Sequence, residues 1–363
     1  MLVDIIAAAK PNFLRIAPVI DAIHKNQKIG KDIKYRLIYI GPHYDKNATA
    51  VFFSQLSISR PNINIEIPSI TQAEETAFIM LQYEKIVKSD KPDLLLVTGS
   101  STSAMACTIA AKKIGKIHVC HLDAGVRNYD TRSQQEVNRV LIDSVSDYYF
   151  TSSHAANENL RQVGISEEKI FIVGNTLIDT LSRLAPHFNK PSIWQKLELQ
   201  LQNYFVITLQ QHNNIEDISR LKDLLVIIAQ ATYNLPVILF TNPRIAESIQ
   251  GIGLKMPNLY IMDIPDYLQF NYLVENAMAV ITDSTMLQEE TTVMGVPCIS
   301  LQDTTEKPET YTIGTNELIG TNPEAIPGAL SLVFSGKWKR GNIPYLWDGR
   351  SAGRILEVLN NLT

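Results

Sequence analysis

The sequence has few cysteines, no long apolar run and little imbalance of charge, and each of these absences excludes a class of protein. Its three cysteines, Cys107, Cys120 and Cys298, form no even set and no CxxC spacing, so neither a disulfide framework nor a cysteine-bound zinc site is predicted. With 33 basic and 37 acidic side chains, the net charge of −4 predicts no general affinity for nucleic acid. Nowhere do about 18 apolar residues follow one another, so no membrane-spanning helix is predicted.

Targeting and cofactor signals are missing as well. The first residues, MLVDIIAAAKP, lack a basic region and are interrupted by Asp4, which is not typical of a secretory signal. Together with the few cysteines, this favours a reducing cytoplasm as the location. The glycine fingerprint of a dinucleotide site is absent. The composition, with 45% hydrophobic and 19% charged residues, is typical of a folded globular enzyme. The length of 363 residues favours two domains.

Short β-rich runs alternate with segments of helical spacing along most of the chain. They are LVDIIAAA, YRLIYIG, PDLLLVTGSS, HVCHLDAG, DYYFTSS and KIFIVGNT in the first half, then YFVITLQ, LPVILFTN, NLYIMDI, AVITDS and PCISLQ. The alternation predicts an α/β protein of two Rossmann-like, doubly wound domains facing a cleft, spanning 1–175 and 176–349. The last segment, residues 350–363, has helical spacing and is compatible with packing back on the first domain.

Residues directly after the strands of an open parallel sheet are the first candidates for ligand contact. After the first run, Pro11 is placed to open a helix, and Lys10 and Arg15 could meet a phosphate near its N-terminus or simply be solvated. After VTGSS, the hydroxyl residues around Ser100 could contact an anion, although capping of a helix is the favoured reading.

Two further stretches concentrate polar side chains at strand ends. The first stretch is HLDAGVRNYDTRSQQEVNR, which contains Asp123. It also contains Glu136 and Arg139, which are three residues apart and could form an ion pair on one face of a helix. No metal-ligand spacing is evident there. ITDSTMLQEE begins a helix after a strand, which could seat a diphosphate, with a carboxylate one or two turns on for a ribose. A plain Ser284 N-cap is the alternative.

Eight motifs in order along nearly the whole chain resemble the non-hydrolysing UDP-N-acetylglucosamine 2-epimerase family. They are AAAKPNFLRIAP, GPHYDKN, HLDAGVRNYD, QQEVNRVLIDSVSDYYF, VGNTLIDTL, TDSTMLQEETTVMGVP, QDTTEKPET and IGTNELIG. The resemblance implies a GT-B-like pair of Rossmann domains, the second binding UDP. It also implies a UDP-sugar substrate, no cofactor or metal for the chemistry, a homodimer, and a place in bacterial-type cell-surface or secondary-metabolite sugar metabolism.

The family reaction removes the proton at C2 with loss of UDP and then adds UDP back from the other face, so it needs acid and base groups at the sugar. Several positions that the resemblance assigns to this chemistry carry other residues here. The family GDT, PEExNR and TLHRxEN motifs fall on 99–101, 134–139 and 208–214, which places Ser100, Gln135 and Gln210 where ionisable groups are usual. The EAGLR motif falls on 123–127 and retains a carboxylate as Asp123.

The nucleotide-binding motifs are better preserved. The DSGGxQEE motif falls on 283–290 and keeps Ser284 and Glu290. Thr285 and Met286 replace paired glycines, which makes the diphosphate cradle more crowded or differently shaped. The GTRPE-like loop falls on 8–12, with Lys10 in place of arginine, a weaker bidentate phosphate ligand. From the resemblance, the predicted substrate-binding residues are Lys10, Arg15, Arg127, Arg139, Ser284, Thr285, Met286 and Glu290.

The candidate catalytic residues are Asp123, Glu136, His212, Ser100, Gln135 and Gln210. His212, two residues after Gln210, is a reserve base or a surface loop histidine. Three hypotheses about activity follow: 2-epimerisation by a rearranged set of acid and base groups, transfer of the sugar from C1 to an acceptor or water, and binding of a UDP-sugar without turnover by a sensor or partner subunit. The partners expected are a UDP-sugar and a second copy of the chain, with no nucleic acid.

Overall fold

The chain forms two compact α/β units. A computed structural model describes residues 1–30, 32–41, 46–210, 217–241, 243–251, 253–254 and 256–362. The N-terminal unit comprises Met1–Arg183 and Tyr345–Thr363, and the C-terminal unit comprises Leu184–Pro344. In the described ranges, no helix is both long and apolar enough to cross a membrane.

The N-terminal unit is built on a parallel sheet of seven strands in the order β3-β2-β1-β4-β5-β6-β7. Its strands are β1 (Leu2–Ala7), β2 (Lys34–Gly41), β3 (Ile63–Glu66), β4 (Leu94–Thr98), β5 (His118–Leu122), β6 (Tyr148–Thr151) and β7 (Ile170–Ile172). Its helices before the boundary are α1 (Lys10–Lys28), α2 (Lys46–Gln55), α3 (Gln72–Ser89), α4 (Thr102–Ile114), α5 (Gln134–Val145), α6 (His154–Gln162) and α7 (Thr176–Leu184).

The C-terminal unit has a parallel sheet of six strands in the order β10-β9-β8-β11-β12-β13. The strands are β8 (Phe205–Thr208), β9 (Val237–Thr241), β10 (Leu259–Asp263), β11 (Ala279–Thr282), β12 (Cys298–Ser300) and β13 (Asn316–Leu318). The helices are α8 (Ser192–Lys196), α9 (Ile218–Ala231), α10 (Pro243–Gly251), α11 (Tyr267–Glu275), α12 (Thr285–Met294), α13 (Glu309–Thr312) and α14 (Ile326–Phe334).

The central strands are apolar on both faces because helices cover both sides of each sheet. All five residues of β4 and of β9 are buried, as are all four of β8 and β11. On one face of the N-terminal sheet, α3, α4 and α5 contribute Ile79, Tyr83, Ala110 and Ile142 to one continuous core. The predicted fold class, two doubly wound parallel sheets, is confirmed.

The chain returns to the N-terminal unit through a final helix, α15 (Ser351–Asn361). The side-chain amide of Asn26 in α1 donates to Oδ1 of Asn360 at 3.1 Å. In the segment before α15, Trp347 is 1% exposed and its indole N–H donates to the carbonyl of Ser152 at 2.9 Å. The C-terminal residues therefore form part of the first core.

Candidate functional site

The order of strands directs attention to one edge of each sheet. Chain connections reverse direction between β1 and β4 in the N-terminal unit and between β8 and β11 in the C-terminal unit. At such a switch point the loops after the two strands separate and leave a crevice at the carboxyl edge, where ligands of doubly wound folds bind. The candidate residues after β1, β4, β5, β8 and β11 lie at these edges.

Asp123, which directly follows β5, is a partly buried carboxylate at the edge of the N-terminal sheet. Its Oδ2 lies 3.5 Å from Nη1 of Arg15, and its Oδ1 accepts a hydrogen bond from the hydroxyl of Ser152 at 3.0 Å. Its φ of +66° is a left-handed conformation that a non-glycine residue rarely adopts. The structure thus brings together two of the predicted residues, Asp123 and Arg15.

Arg15 reaches Asp123 from α1 because a further side chain orients it. Its Nη1 donates to Oδ1 of Asn175 at 3.1 Å, and the same oxygen accepts the backbone N–H of Leu177 at 3.0 Å. Asn175 and Ser152 follow β7 and β6, so they obey the strand-end rule that selected Asp123. Neither residue was named as a candidate from the sequence, although the strand ends FTSS and VGNT contain them.

The loop between β4 and α4, residues 99–101, carries Ser100. Ser101 is the N-cap of α4 and accepts the backbone N–H of Ala104 at 3.1 Å, which confirms the capping interpretation. The hydroxyl residue Ser100 is partly exposed, and its carbonyl accepts a hydrogen bond from Nδ2 of Asn138 at 2.9 Å. An alcohol at this place can donate or accept a hydrogen bond but has negligible acid or base capacity near neutral pH.

Glu136 is buried beneath the loop that joins β5 to α5. Its Oε2 accepts the N–H of Asn128 at 3.1 Å and a guanidinium N–H of Arg139 at 3.1 Å, while Oε1 accepts the N–H of Tyr129 at 3.3 Å. The predicted pairing of Glu136 with Arg139 is confirmed. Gln135, on the other side of α5, is exposed. The Glu136 carboxylate is thus engaged in fixing this loop.

Arg127 belongs to a second buried charge cluster. Its Nη1 lies 2.6 Å from Oδ2 of Asp143 and donates to the carbonyl of Val126 at 2.8 Å. Nδ1 of His121 lies 2.6 Å from Oδ1 of the same carboxylate. Burial alone would raise the pKa of Asp143, but the charges and hydrogen bonds of His121 and Arg127 outweigh it and hold the pKa below its usual range.

Lys10 lies at the start of α1 and is exposed. Its Nζ is 5.9 Å from the centre of the Phe52 ring, which is within reach of a cation–π contact. Pro11 occupies the first turn of this helix, as predicted. The cation therefore stands at the positive end of a helix, an arrangement suited to an anionic ligand.

In the C-terminal unit, the ends of β8 and β11 are joined through Asp283. Both carboxylate oxygens of Asp283 accept the backbone N–H of Gln210, at 2.9 and 3.1 Å. The Gln210 side chain is exposed. His212 lies outside the described residues, so its place relative to this edge is not described.

Helix α12 begins at the same edge with Ser284 as its N-cap, followed by Thr285 and Met286, all three partly exposed. Within the described part of the chain, the Ser284 hydroxyl accepts no capping hydrogen bond. Glu290, one turn further, is buried, and its Oε1 accepts the hydroxyl of Tyr267 at 2.6 Å. An available hydroxyl at a helix N-terminus and an oriented carboxylate are suited to a diphosphate and a diol.

Two buried side-chain amides, those of Gln288 and Gln302, stabilise the carboxyl edge of the C-terminal sheet. Nε2 of Gln288 donates to Oε1 of Gln302 at 2.7 Å, and Nε2 of Gln302 donates to the carbonyl of Asp283 at 2.8 Å. Across the described ranges, no group of three His, Cys, Asp or Glu side chains could hold a metal ion.

Comparisons with known proteins agree with this architecture. The sequence profile of the family described as UDP-N-acetylglucosamine 2-epimerase matches residues 25–360. A UDP-N-acetylglucosamine 2-epimerase of Methanocaldococcus jannaschii is 33% identical over 372 residues, which cover 99% of each chain. A UDP-2,3-diacetamido-2,3-dideoxy-D-glucuronate 2-epimerase of Pseudomonas aeruginosa is 30% identical over 98% of this chain and 99% of its own.

A solved structure is similar over the same extent. The M. jannaschii UDP-GlcNAc 2-epimerase in complex with UDP-GlcNAc and UDP has 32% sequence identity and a TM-score of 0.87, and the match covers 99% of this chain and 100% of that chain. The agreement in sequence and in fold therefore extends through both units.

Proposed function

Because the chain belongs to the UDP-N-acetylglucosamine 2-epimerase family, we propose that it is an enzyme that binds a UDP-linked N-acetylhexosamine and epimerises the sugar at C2. Relatives that cover the full chain carry epimerase names for two different UDP-sugars. The physiological sugar is therefore expected to resemble UDP-GlcNAc.

The observation that carries this proposal is the setting of Asp123. It is a carboxylate at the switch-point edge, held by Arg15 at 3.5 Å and Ser152 at 3.0 Å in a left-handed backbone conformation. Of the positions where the family resemblance expects acid and base groups, 100, 135 and 210 carry serine or glutamine. Asp123 retains the capacity to accept a proton near neutral pH.

In the proposed reaction, a carboxylate oxygen of Asp123 takes the proton from C2 of the sugar. The electrons of that C–H bond form the C1–C2 double bond, and the C1–O bond breaks so that UDP leaves with its electron pair. UDP then adds back at C1 while a proton returns to C2 from the opposite face. That return requires a second acid, for which His212 is the candidate from sequence, because the Glu136 carboxylate is engaged with its loop.

We assign the nucleotide to the C-terminal unit. Ser284 and the first N–H groups of α12 are the proposed diphosphate ligands, and Glu290, oriented by Tyr267, is the proposed ribose ligand. Thr285 and Met286 carry side chains where the family has paired glycines. The backbone at the start of α12 therefore cannot come as close to a diphosphate as a glycine backbone could. Lys10 and Arg15 supply positive charge in the N-terminal unit for the leaving UDP.

A second candidate function, transfer of the sugar from C1 to an acceptor or to water, is favoured by the loss of ionisable groups at Ser100, Gln135 and Gln210. Each general acid or base group typically contributes about 100- to 10,000-fold to the rate of proton transfer. Their absence should therefore slow proton transfer at C2 more than it slows the departure of UDP from C1. Binding without turnover is the third candidate.

Proton NMR of the protein with UDP-GlcNAc in D₂O separates the three candidates. Epimerisation gives deuterium at C2 together with signals of UDP-ManNAc. Transfer or hydrolysis gives free UDP and a sugar that keeps its C2 proton. A ligand that is broadened by binding but chemically unchanged after long incubation contradicts epimerisation and hydrolysis, and indicates either binding without turnover or a transferase without its acceptor.

Replacement of the proposed base tests its role directly. Asp123→Asn keeps the shape and the hydrogen bond from Ser152 but removes the basic oxygen, so C2 exchange is expected to fall by about 100- to 10,000-fold. Asp130→Asn in the same loop, where the carboxylate pairs with exposed Arg132, is the matched control. Equal rates in wild type and Asp123→Asn contradict the assignment.

A homodimer and a cytoplasmic location complete the proposal. The exposed stripe of Val137, Val140 and Leu141 on α5 supports association of two copies, because these apolar side chains are 41%, 47% and 39% exposed in the single chain. Sedimentation velocity of the purified chain checks the oligomeric state.

A further inference from the structure

His121 and Asp143 form a buried pair that the proposed chemistry does not use. Nδ1 of His121 lies 2.6 Å from Oδ1 of Asp143, and both side chains are at most 2% exposed. Nε2 on the other side of the ring lies 3.0 Å from the carbonyl oxygen of Gly99. Each ring nitrogen therefore faces an oxygen that can only accept, provided that Asp143 is ionised.

We propose that His121 is a positioning residue, held by Asp143 with a proton on both ring nitrogens, that fixes the β4–α4 loop next to the candidate base Asp123. Nε2–H donates to the Gly99 carbonyl, and Nδ1–H donates to the carboxylate. The second carboxylate oxygen of Asp143 contacts the guanidinium of Arg127. This inference rests on the function proposed above.

The Gly99 contact matters because it sets which way the loop faces. Gly99 has a φ of +68°, and its N–H donates to the carbonyl of Leu122 at 3.3 Å. The next carbonyl, that of Ser100, accepts Nδ2 of Asn138 at 2.9 Å. Two successive carbonyls of the loop are thus bound by side chains from β5 and α5, which fixes the orientation of the peptide groups that carry Ser100.

The same carboxylate also fixes the loop that carries Asp123. Oδ2 of Asp143 accepts the N–H of Gly125 at 3.2 Å and contacts Arg127 at 2.6 Å. Asp143 therefore connects the residues that follow Asp123 with the ring that holds Gly99. A displacement of about 1 Å at a reacting group can reduce turnover about 100-fold, so a rigid link between these loops has a direct consequence for rate.

Two variants of His121 separate its two contacts. In His121→Asn, the side-chain amide takes the place of Nδ1–H and keeps the bond to Asp143, but it leaves the Gly99 carbonyl without its donor. In His121→Gln, the amide reaches the place of Nε2–H and keeps the bond to Gly99, but it abandons Asp143. His118→Gln, at the exposed start of the same strand, is the control.

The proposal predicts opposite rankings for turnover and stability. The kcat should fall about 10- to 100-fold in His121→Asn, with little change in KM, and clearly less in His121→Gln. The melting temperature should fall more in His121→Gln, because a buried carboxylate loses a partner. A kcat that simply follows the melting temperature through the series would show that His121 is merely structural and overturn the proposal.

Two measurements without substrate keep the test independent of the proposed reaction. In ¹⁵N-histidine-labelled protein, both ring nitrogens of His121 should show the shifts of protonated nitrogens, and one unprotonated nitrogen overturns the proposal. Amide exchange at residues 99–101 should accelerate in His121→Asn and remain near wild type in His121→Gln. If wild type shows no turnover, the proposed function fails, while these two measurements still decide the role of His121.

Discussion

Asp123 occupies a backbone conformation that non-glycine residues adopt only when surrounding contacts hold them there. Here those contacts include Arg15 and Ser152, and the N–H of the next residue, Ala124, donates to the carbonyl of Phe150 at 3.1 Å. Backbone strain of this kind concentrates at functional sites, where it holds a reacting group in a fixed direction. The residue that retains a carboxylate at the first position of the EAGLR motif is therefore also held in a constrained backbone conformation.

Single residues of the site were predicted unevenly from sequence. Asp123, Arg15 and Glu136 were selected because they are charged or lie in family motifs with an assigned role, whereas Ser152 and Asn175 are uncharged and had no assigned role. The link between His121 and Asp143 joins residues 22 positions apart on a strand and a helix. Their contact depends on how β5 and α5 pack, which no local spacing encodes.

The low pKa of Asp143 leads to a pH-dependent prediction. Because His121 and Arg127 lower the pKa of this carboxyl in the folded protein below its unfolded value of about 3.9, its contribution to stability is present above that pH and is lost as the pH falls through the folded pKa. Asp143→Asn should therefore reduce the free energy of unfolding by about 3 kcal/mol at neutral pH, with a deficit that narrows below about pH 4.

Chemical denaturation at several pH values measures this deficit. Asp32→Asn, at an exposed carboxylate 3.9 Å from Lys34, is the control and should change the free energy of unfolding only slightly. A deficit for Asp143→Asn that stays constant from neutral to acid conditions would show that the carboxylate acts through shape alone.

At the scale of elements, the sequence predicted every central strand but only two of the four edge strands, β7 and β10. The eleven apolar runs correspond to strands, but β3 (Ile63–Glu66) and β13 (Asn316–Leu318) were missed. Both lie at a sheet edge, pair with one neighbour and have four and three residues. Short edge strands need fewer apolar residues because one side is open, so their sequences resemble loops.

The packing of α6 against the β5–α5 loop gives a prediction at this scale. Gly125 has a φ of +74°, and an added Cβ would lie 2.3 Å from the carbonyl oxygen of Ala156 and 2.9 Å from Cγ of Leu160. Gly125→Ala combines backbone strain with displacement of α6, so it should reduce the free energy of unfolding by about 3 kcal/mol.

Gly295 is the matched control, because it has a left-handed conformation with a φ of +73°, but an added Cβ meets nothing within 4 Å. Gly295→Ala should reduce the free energy of unfolding by about 1 kcal/mol, the backbone contribution alone. Urea unfolding of both variants gives the comparison, and equal losses would mean that contact with α6 contributes nothing.

At the scale of the whole molecule, the chain leaves the N-terminal unit after Arg183 and returns to it at Tyr345. The return is fixed in part by a carboxylate that binds backbone N–H groups. Asp179 in α7 accepts the N–H groups of Ser351 and Ala352 at the start of α15, at 3.0 and 2.7 Å. The N–H groups of a helix's first turn have no partner within the helix, so this carboxylate from another part of the sequence satisfies them.

Asp179→Asn should therefore loosen the returning segment. The amide offers one acceptor where two N–H groups require one each, and a buried donor left without a partner costs about 1 to 3 kcal/mol. Amide exchange of residues 345–362 should accelerate, with the largest change at the start of α15. Glu357→Gln, exposed on the same helix, is the control and should leave this amide exchange unchanged.

Because Trp347 in this segment binds the Ser152 carbonyl while the Ser152 hydroxyl binds Asp123, a loosened segment should also lower the rate of the reaction. Faster exchange with an unaltered rate would show that the C-terminal residues stabilise the fold without supporting the candidate base.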